Sequence, residues 1–435
     1  MAFSLKGIVM PHKKNTAGME AEILVTEKTV TLPVLTHNGN PAVPVVKAGD
    51  EVKVGTLVAR AGEGISTPVY SSVSGKVVGI SDMFMSNGSR VAAITVDSDG
   101  EMAEDESIAP PVINSKEDVV AAIQASGVVG LGGAGFPTYV KFATSNKIDC
   151  LIINGAECEP FITSDDYTMT HKHEDIAYGI DVISKYFGFE KVIIGVEKNK
   201  PEAIKKMKAI ADARSNVSLE ALPQKYPMGG EKVLVYALTG RKAGDGKLPV
   251  DVGCIVCNCT TIAALGYYFK TGMPLVKKCI TVDGSAVKSP KIVIAPIGVS
   301  IGEVFEFAGG FSTEPGKVIY GGPMMGVSVP SLNEPVLKQT NALIALNAKD
   351  SKPVKETACI QCGACTNNCP FGIDASEIAR AYDKGEYERL EKLGTSLCME
   401  CGCCAYGCPA KRPLVQMIKM AKLALCEWKE KEANA

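Results

Sequence analysis

Residues 359–370 read CIQCGACTNNCP, and residues 398–409 read CMECGCCAYGCP. Both stretches space their cysteines alike: Cys359, Cys362, Cys365 and Cys369 before Pro370, then Cys398, Cys401, Cys404 and Cys408 before Pro409. Three thiolates at x2 spacing sit on one tight loop and reach three corners of a cubane, the ligand pattern of a [4Fe–4S] cluster. The fourth cysteine lies too far along to close the same face, so it serves the other cluster. Cys359, Cys362, Cys365 and Cys408 are therefore assigned to one cluster, and Cys398, Cys401, Cys404 and Cys369 to a second. Such cross-ligation holds the runs side by side and makes the intervening DASEIARAYDKG and EYERLEKLG fold back as helices, within a helical unit spanning about 355–428. The competing reading is a pair of zinc sites, but zinc sites use well-separated C-x2–4-C pairs rather than four cysteines within eleven residues. Cys403, between two ligands, is a bystander.

The rest of the composition agrees with an electron carrier and excludes other classes. The 435 residues are 46% hydrophobic, enough for several domains with ordinary cores. A formal charge of −2 gives no electrostatic case for nucleic acid. No apolar run approaches the roughly 20 residues that span a bilayer. The N-terminal MAFSLKGIVMPHKKNTAG has too short an apolar stretch for a secretion signal. A cytoplasmic protein is expected, touching membrane only through partners. Sixteen cysteines without a secretion signal argue for metal chemistry rather than disulfides.

Upstream, the expected class is multidomain α+β. Residues 1–100 show short apolar runs separated by Gly, Asp, Asn and Ser turns, an all-β pattern. Within them VVKAGDEVKVGTLVARAGEGISTPVYSSVSGKVV (45–78) resembles the barrel-sandwich of lipoyl and biotinyl carriers. The hairpin tip reads Ala61-Gly62-Glu63-Gly64, without the lysine those carriers modify, so a docking or structural role is expected. After a polar linker, Ser115 and Asp118 form a capping-box pattern ahead of VVAAIQA. From there to about 275, strands such as CLIIN (150–154) and KVIIGVE (191–197) alternate with helices such as PEAIKKMKAIADA (201–213), which predicts an α/β layer with a mainly parallel sheet. Residues 277–330 are again strand-rich with one short helix, and a polar connection follows, broken by the apolar strand ALIAL (342–346).

Two loops in the α/β segment carry chemistry. Gly130-Leu131-Gly132-Gly133-Ala134-Gly135-Phe136-Pro137-Thr138 is a glycine loop entering a helix, PTYVKFAT, whose N-terminus is expected to offer N–H groups to an anion. A tight structural turn is the bland alternative. The strand CLIIN then delivers Asn154-Gly155-Ala156-Glu157-Cys158-Glu159-Pro160 at its C-terminal end, where α/β folds place ligands. Two carboxylates and an amide there suit ribityl or ribose hydroxyls and a flavin edge; a solvated loop is the alternative.

Taken together, GLGGAGFPTYVK, NGAECEP, YPMGGEK (226–232) and IVCN (255–258) resemble the NADH- and FMN-binding subunit of respiratory complex I, and resemble RnfC, the C subunit of the Rnf electron transport complex, more closely still. The module order agrees: barrel, flavin module, a β-grasp SLBB-like segment with GGPMMG (321–326), then two ferredoxin-type runs. The resemblance implies non-covalent FMN held by Gly132, Gly133, Gly135, Lys141, Asn154, Glu157 and Asn258, with NADH stacked on Phe136 and contacted by Glu159 and Glu231. Ala156 stands at the fourth acidic position of the complex I pattern, so no role transfers to it. It further implies an NAD-facing subunit of an ion-translocating ferredoxin:NAD oxidoreductase, peripheral on the inner face of the cell membrane, with the other Rnf subunits, especially the ferredoxin-like RnfB, as partners. Two departures stand out: Gly7-Ile8-Val9-Met10-Pro11 replaces the family's Gly-Gly-x-His-Pro, and Cys254, Cys257 and Cys259 surround Asn258. These keep open a soluble electron donor to a dedicated reductase, and a partner-binding scaffold whose flavin site is vestigial.

Cys257 and Cys259, read as neighbours on one strand face, are either a redox pair or small buried hydrophobes. His171 and His173 are either a metal pair or ordinary polar residues. The C-terminal PLVQMIKMAKLALCEWKEK has the apolar stripe of a core or partner-facing helix, where Trp428 helps docking.

Overall fold

A chain with two kinds of hydrophobic period builds two kinds of layer, and here they alternate along the sequence. The structure, a computed structural model, describes residues 6–11, 13–86 and 88–433; the opening five residues of the segment read for a secretion signal, and His12, lie outside them.

The period-2 pattern of the first hundred residues folds as two small facing sheets. One orders Thr29–Pro33, Arg90–Ser98, Gly75–Phe84 and Glu51–Val52, and the other Val43–Pro44, Leu57–Arg60 and Val69–Tyr70. Their inward residues, among them Val30, Leu32, Val58, Val73, Ile94 and Val96, are fully buried. This is the barrel-sandwich hybrid.

The central domain begins with the helix Lys116–Ala125, capped reciprocally by Ser115 and Asp118. Four strands, all parallel, follow in the order Val217–Leu222, Lys191–Glu197, Cys150–Gly155 and Cys254–Asn258. The chain steps outward from Cys150–Gly155 twice, then returns to pair on its other side. That reversal opens a crevice at the C-terminal ends of Cys150–Gly155 and Cys254–Asn258, where Asn154 and Asn258 stand in register.

The strand-rich segment near 277–330 is not closed on itself. Its sheet has six strands, ordered Ala21–Ile23, Lys291–Pro296, Lys277–Asp283, Ala342–Asn347, Pro315–Tyr320 and Val327–Ser328. The run ALIAL, read as an interruption in a connection, is a central strand buried along most of its length. Residues 21–23, read with the barrel, extend the opposite edge in parallel. Neither displacement has a local cause: an apolar strand fits any sheet offering an open edge, and three residues carry no period.

The last unit is helical. Ala375–Asp383, Tyr387–Lys392 and Leu414–Ala433 pack on Ile378, Leu390, Leu414, Ile418, Ala421 and Leu425, with Trp428 6.2 Å from Tyr387 in a stacked arrangement. None of the described helices is long and apolar enough to cross a membrane.

Candidate cofactor sites

The two cysteine runs fold as near copies. In each, the residue before the second cysteine takes a left-handed conformation, Gln361 at φ 55 and Glu400 at φ 60, and so does the glycine after it, Gly363 and Gly402. The turn aims backbone N–H groups at sulfur: Gln361 N donates to Cys359 Sγ at 3.4 Å and Glu400 N to Cys398 Sγ at 3.3 Å. Past the fourth cysteine the correspondence continues, with Gly372 at φ 70 matched by Lys411 at φ 54. Hydrogen bonds of this kind to cluster sulfurs are among the factors that set reduction potential.

Each run contributes to two cavities. One is bordered by Cys369, Cys398, Cys401, Cys403 and Cys404. The other is lined by Cys359, Cys362, Cys365 and Cys408. Among the described residues, no three Cys, His, Asp or Glu converge where a single metal ion could bind. Thiols from both runs around each void fit the crossed ligand sets of two polynuclear clusters. Cys403 also borders the first cavity, but it is fully buried and its Sγ donates to Tyr226 O at 3.8 Å.

The cavities differ in surroundings. The first abuts the central domain: Tyr226 Oη donates to Cys401 O at 2.6 Å, and Met399 packs with Ala156 and Met228. A Cβ on Gly230 would overlap the end of the Met399 side chain, so glycine here lets the thioether lie directly on the loop. The second faces outward, with Cys359 and Cys362 exposed and Ile360 67% exposed between them.

In the crevice of the parallel sheet, the glycine loop closes on itself through Gly130 N to Phe136 O at 2.8 Å and Gly135 N to Gly130 O at 3.0 Å. This leaves Gly132, Gly133 and Ala134 exposed and Phe136 half-buried. Gly133 (φ +109) and Gly135 (φ +63) occupy backbone conformations that suit glycine, and a Cβ on Gly132 would stand 2.9 Å from the Asn258 amide. The following helix, Thr138–Phe142, is five residues long. It is too short for the anion-binding terminus expected of it, because a single turn aligns few peptide dipoles. An open glycine cradle at a strand-order reversal, beside two in-register amides, fits a flavin nucleotide.

The remaining candidates hold one another. Lys141 Nζ donates to Glu231 Oε1 at 2.5 Å and to Val256 O at 2.8 Å. Burial alone would lower the Lys141 pKa, but Glu231 keeps it above the ordinary value. Asn154 Nδ2 donates to Gly229 O at 2.9 Å, fixing the YPMGGEK loop over the sheet end. Asn258 caps the helix Cys259–Thr271 and donates through Nδ2 to Asp165 at 2.6 Å. Glu157 is buried and doubly occupied, by Lys200 Nζ at 2.7 Å and by Asp165 N at 2.7 Å. Glu159 accepts from Met324 N at 3.1 Å and Met325 N at 2.9 Å, and burial pushes its pKa up to about 7.

Lys200 and Asp165 did not stand out in the sequence. A lysine between a strand and Pro201, and an aspartate in TSDD, look like surface residues until folding buries them. The cysteines around Asn258 resolve differently from expectation. The strand ends at Asn258 and Cys259 is the first residue of the helix, so Cys257 and Cys259 share no strand face. Burial pushes the Cys257 thiol up to about 12 and Cys259 well above its usual value, which leaves both as unreactive core groups. His171 stacks on Tyr167 at 4.3 Å and faces Glu20, while His173 contacts Thr170 O.

Known proteins match in the same order. Family models match as the RnfC barrel sandwich hybrid domain (residues 3–101), the Nuo51 FMN-binding domain (123–266), the SLBB domain (279–328) and the 4Fe-4S dicluster domain (352–409). The chain is 40% identical to the C subunit of the proton-translocating ferredoxin:NAD(+) oxidoreductase complex of Clostridium ljungdahlii, over 97% of this chain and 94% of that one. It is 40% identical to the C subunit of the Na(+)-translocating ferredoxin:NAD(+) oxidoreductase complex of Acetobacterium woodii (96% and 95%), and 37% identical to the C subunit of the ion-translocating oxidoreductase complex of Rhodobacter capsulatus (98% and 84%). Among solved structures, an NAD+-reducing [NiFe]-hydrogenase in the H2-reduced state shares the fold at TM-score 0.50 and 19% identity, over 72% of this chain and 63% of that chain. With four family domains in sequence and relatives matched end to end, this chain belongs to the RnfC family, the C subunits of Rnf complexes.

Proposed function

We propose that the chain is the NAD-facing electron-transfer subunit of an ion-translocating ferredoxin:NAD oxidoreductase, linking NADH, FMN and two [4Fe–4S] clusters. Nicotinamide exchanges two electrons as hydride and a cluster exchanges one, so bound FMN supplies the conversion between them. The chain's own residues bind and orient. Gly132, Gly133 and Gly135 form the cradle for FMN, and Lys141, Asn154, Glu157 and Asn258 set its walls. Phe136, Glu159 and Glu231 are the contacts for NADH in this reading. Cys369, Cys398, Cys401 and Cys404 hold the cluster nearer the flavin module; Cys359, Cys362, Cys365 and Cys408 hold the outer one.

One observation carries the reading: the first cysteine cavity is packed on the YPMGGEK loop, which also bears Glu231, while the second opens outward. An inner and an outer site in series suit a carrier between a buried nucleotide and a docked protein. The ferredoxin-like RnfB is the partner expected at the outer face, and the other Rnf subunits hold the chain against the inner side of the membrane. The test is anaerobic reconstitution with iron, sulfide and FMN, followed by NADH. Bleaching of flavin and clusters together is expected; flavin-free protein whose clusters NADH leaves oxidised would refute the reading.

A further inference from the structure

The acidic loop of the nucleotide site is held from outside by a segment that no family motif above assigns. Residues 13–16 cross over Glu157–Thr163 and touch it repeatedly. Lys14 Nζ donates to the backbone carbonyls of Glu157 and Glu159, each at 2.9 Å, and to that of Ile162. Thr16, fully buried, meets Thr163 Oγ1 to Oγ1 at 2.5 Å. Lys13 Nζ lies 5.5 Å from the centroid of the Phe161 ring, and Asn15 Nδ2 donates to Asp283 at 2.9 Å in the neighbouring sheet.

The loop needs such a hold. Phe161 has φ +70, a left-handed conformation that a bulky side chain adopts only when its surroundings impose it. Three carbonyl oxygens aimed at one point repel each other unless a cation lies between them. An ammonium group has three donors and no acceptor, so Lys14 satisfies all three and is itself fully used. Two of those carbonyls belong to Glu157 and Glu159, so the contact fixes the backbones that carry both carboxylates.

We propose that Lys14 is a positioning residue of the nicotinamide site: its ammonium ties the main chain of the acidic loop into the one conformation that presents Glu159 to NADH. This rests on the assignment of Glu159 as an NADH contact. Methionine at this position keeps the length of the side chain and removes its charge and donors.

The experiment uses the full chain loaded with clusters and FMN. Backbone hydrogen exchange over 156–163 in Lys14→Met should accelerate about tenfold without NADH, since three partly buried acceptors lose their donor. KM for NADH should rise about tenfold, while kcat with an artificial one-electron acceptor stays within about twofold. Thr16→Val, a milder cut in the same segment, should move both quantities the same way but less. Unchanged exchange in Lys14→Met overturns the proposal, and so does faster exchange with KM unmoved, which would make the contact structural only. If wild-type protein fails to react with NADH, the functional reading falls, and exchange still decides whether Lys14 holds the loop.

Discussion

The two cysteine runs have the same spacing, the same left-handed turns and the same proline, yet they build unequal sites. The cavity of Cys369, Cys398, Cys401 and Cys404 is bordered by Met399 and Phe371, which pack against the hydrophobic cluster that holds Met228 of the YPMGGEK loop. That of Cys359, Cys362, Cys365 and Cys408 borders a stretch, 355–363, that is exposed throughout. The repeat therefore encodes ligand geometry, and what packs on it encodes the position in a sequence of electron carriers. A single side-chain difference shows how: Met399 fills the gap against Gly230, whereas the equivalent Ile360 projects into solvent.

Breaking the ligand exchange between runs gives the largest effect. Cys408→Ser should remove the outer cluster, not the one served by its own run, and iron should fall from about eight to about four per chain. Cys369→Ser should do the same to the inner cluster. Electron paramagnetic resonance of the two variants distinguishes the survivors; if each serine removed the cluster of its own run, the crossed arrangement would be wrong. Next in size is the junction. Gly230→Val displaces the Met399 thioether from its place between the inner site and the flavin module, and the branched group presses on that junction. NADH should still reduce bound flavin, while cluster reduction slows on the order of tenfold. Rapid-mixing spectroscopy at the flavin and cluster wavelengths resolves the two, and a parallel slowing of both would place the lesion elsewhere. A smaller contrast concerns access. Under brief ferricyanide treatment, mass spectrometry should find Cys359 and Cys362 oxidised several-fold ahead of Cys401 and Cys404, because exposure governs attack.

What the sequence disclosed follows the same division. Cysteine spacing is a local quantity, and the division of the eight cysteines between two cavities was legible because a tight loop leaves few ways to surround a cubane. The all-β, α/β and helical segments were legible from period and turn chemistry, and the identity of the modules from the family resemblance. The six-stranded sheet was not, since Ala21–Ile23 and Ala342–Asn347 join it from opposite ends of the chain and neither stretch names its neighbour. Nor were the residues that hold the nucleotide loops. Lys14, Asp165 and Lys200 act through burial and through partners 8 to 148 residues away, which no local pattern records. Glu157, read as a ligand, turned out to be enclosed by two of them.

The mildest effect is a pH dependence confined to one side of the comparison. Glu159 ties the acidic loop to Met324 and Met325, and Met324 packs beside Cys401 and Cys403. Burial raises its pKa from 4.5 to about 7, against the opposing pull of the two N–H donors. The folded protein thus holds this proton more tightly than the unfolded chain does. The resulting stability is fully present below about 4.5 and is lost as pH rises through about 7. Glu197, buried with both carboxylate oxygens unpartnered and likewise raised to about 7, contributes in the same direction, so Glu159→Gln removes only part of the slope. Relative to wild type, the variant should gain on the order of 2 kcal/mol between pH 5 and pH 8 in denaturant titrations. Ionising Glu159 puts a negative charge beside the packing of the inner site and leaves the outer one untouched. Raising the pH should therefore hasten loss of the inner cluster alone, and equal sensitivity of both clusters would mean that the junction is not what sets them apart.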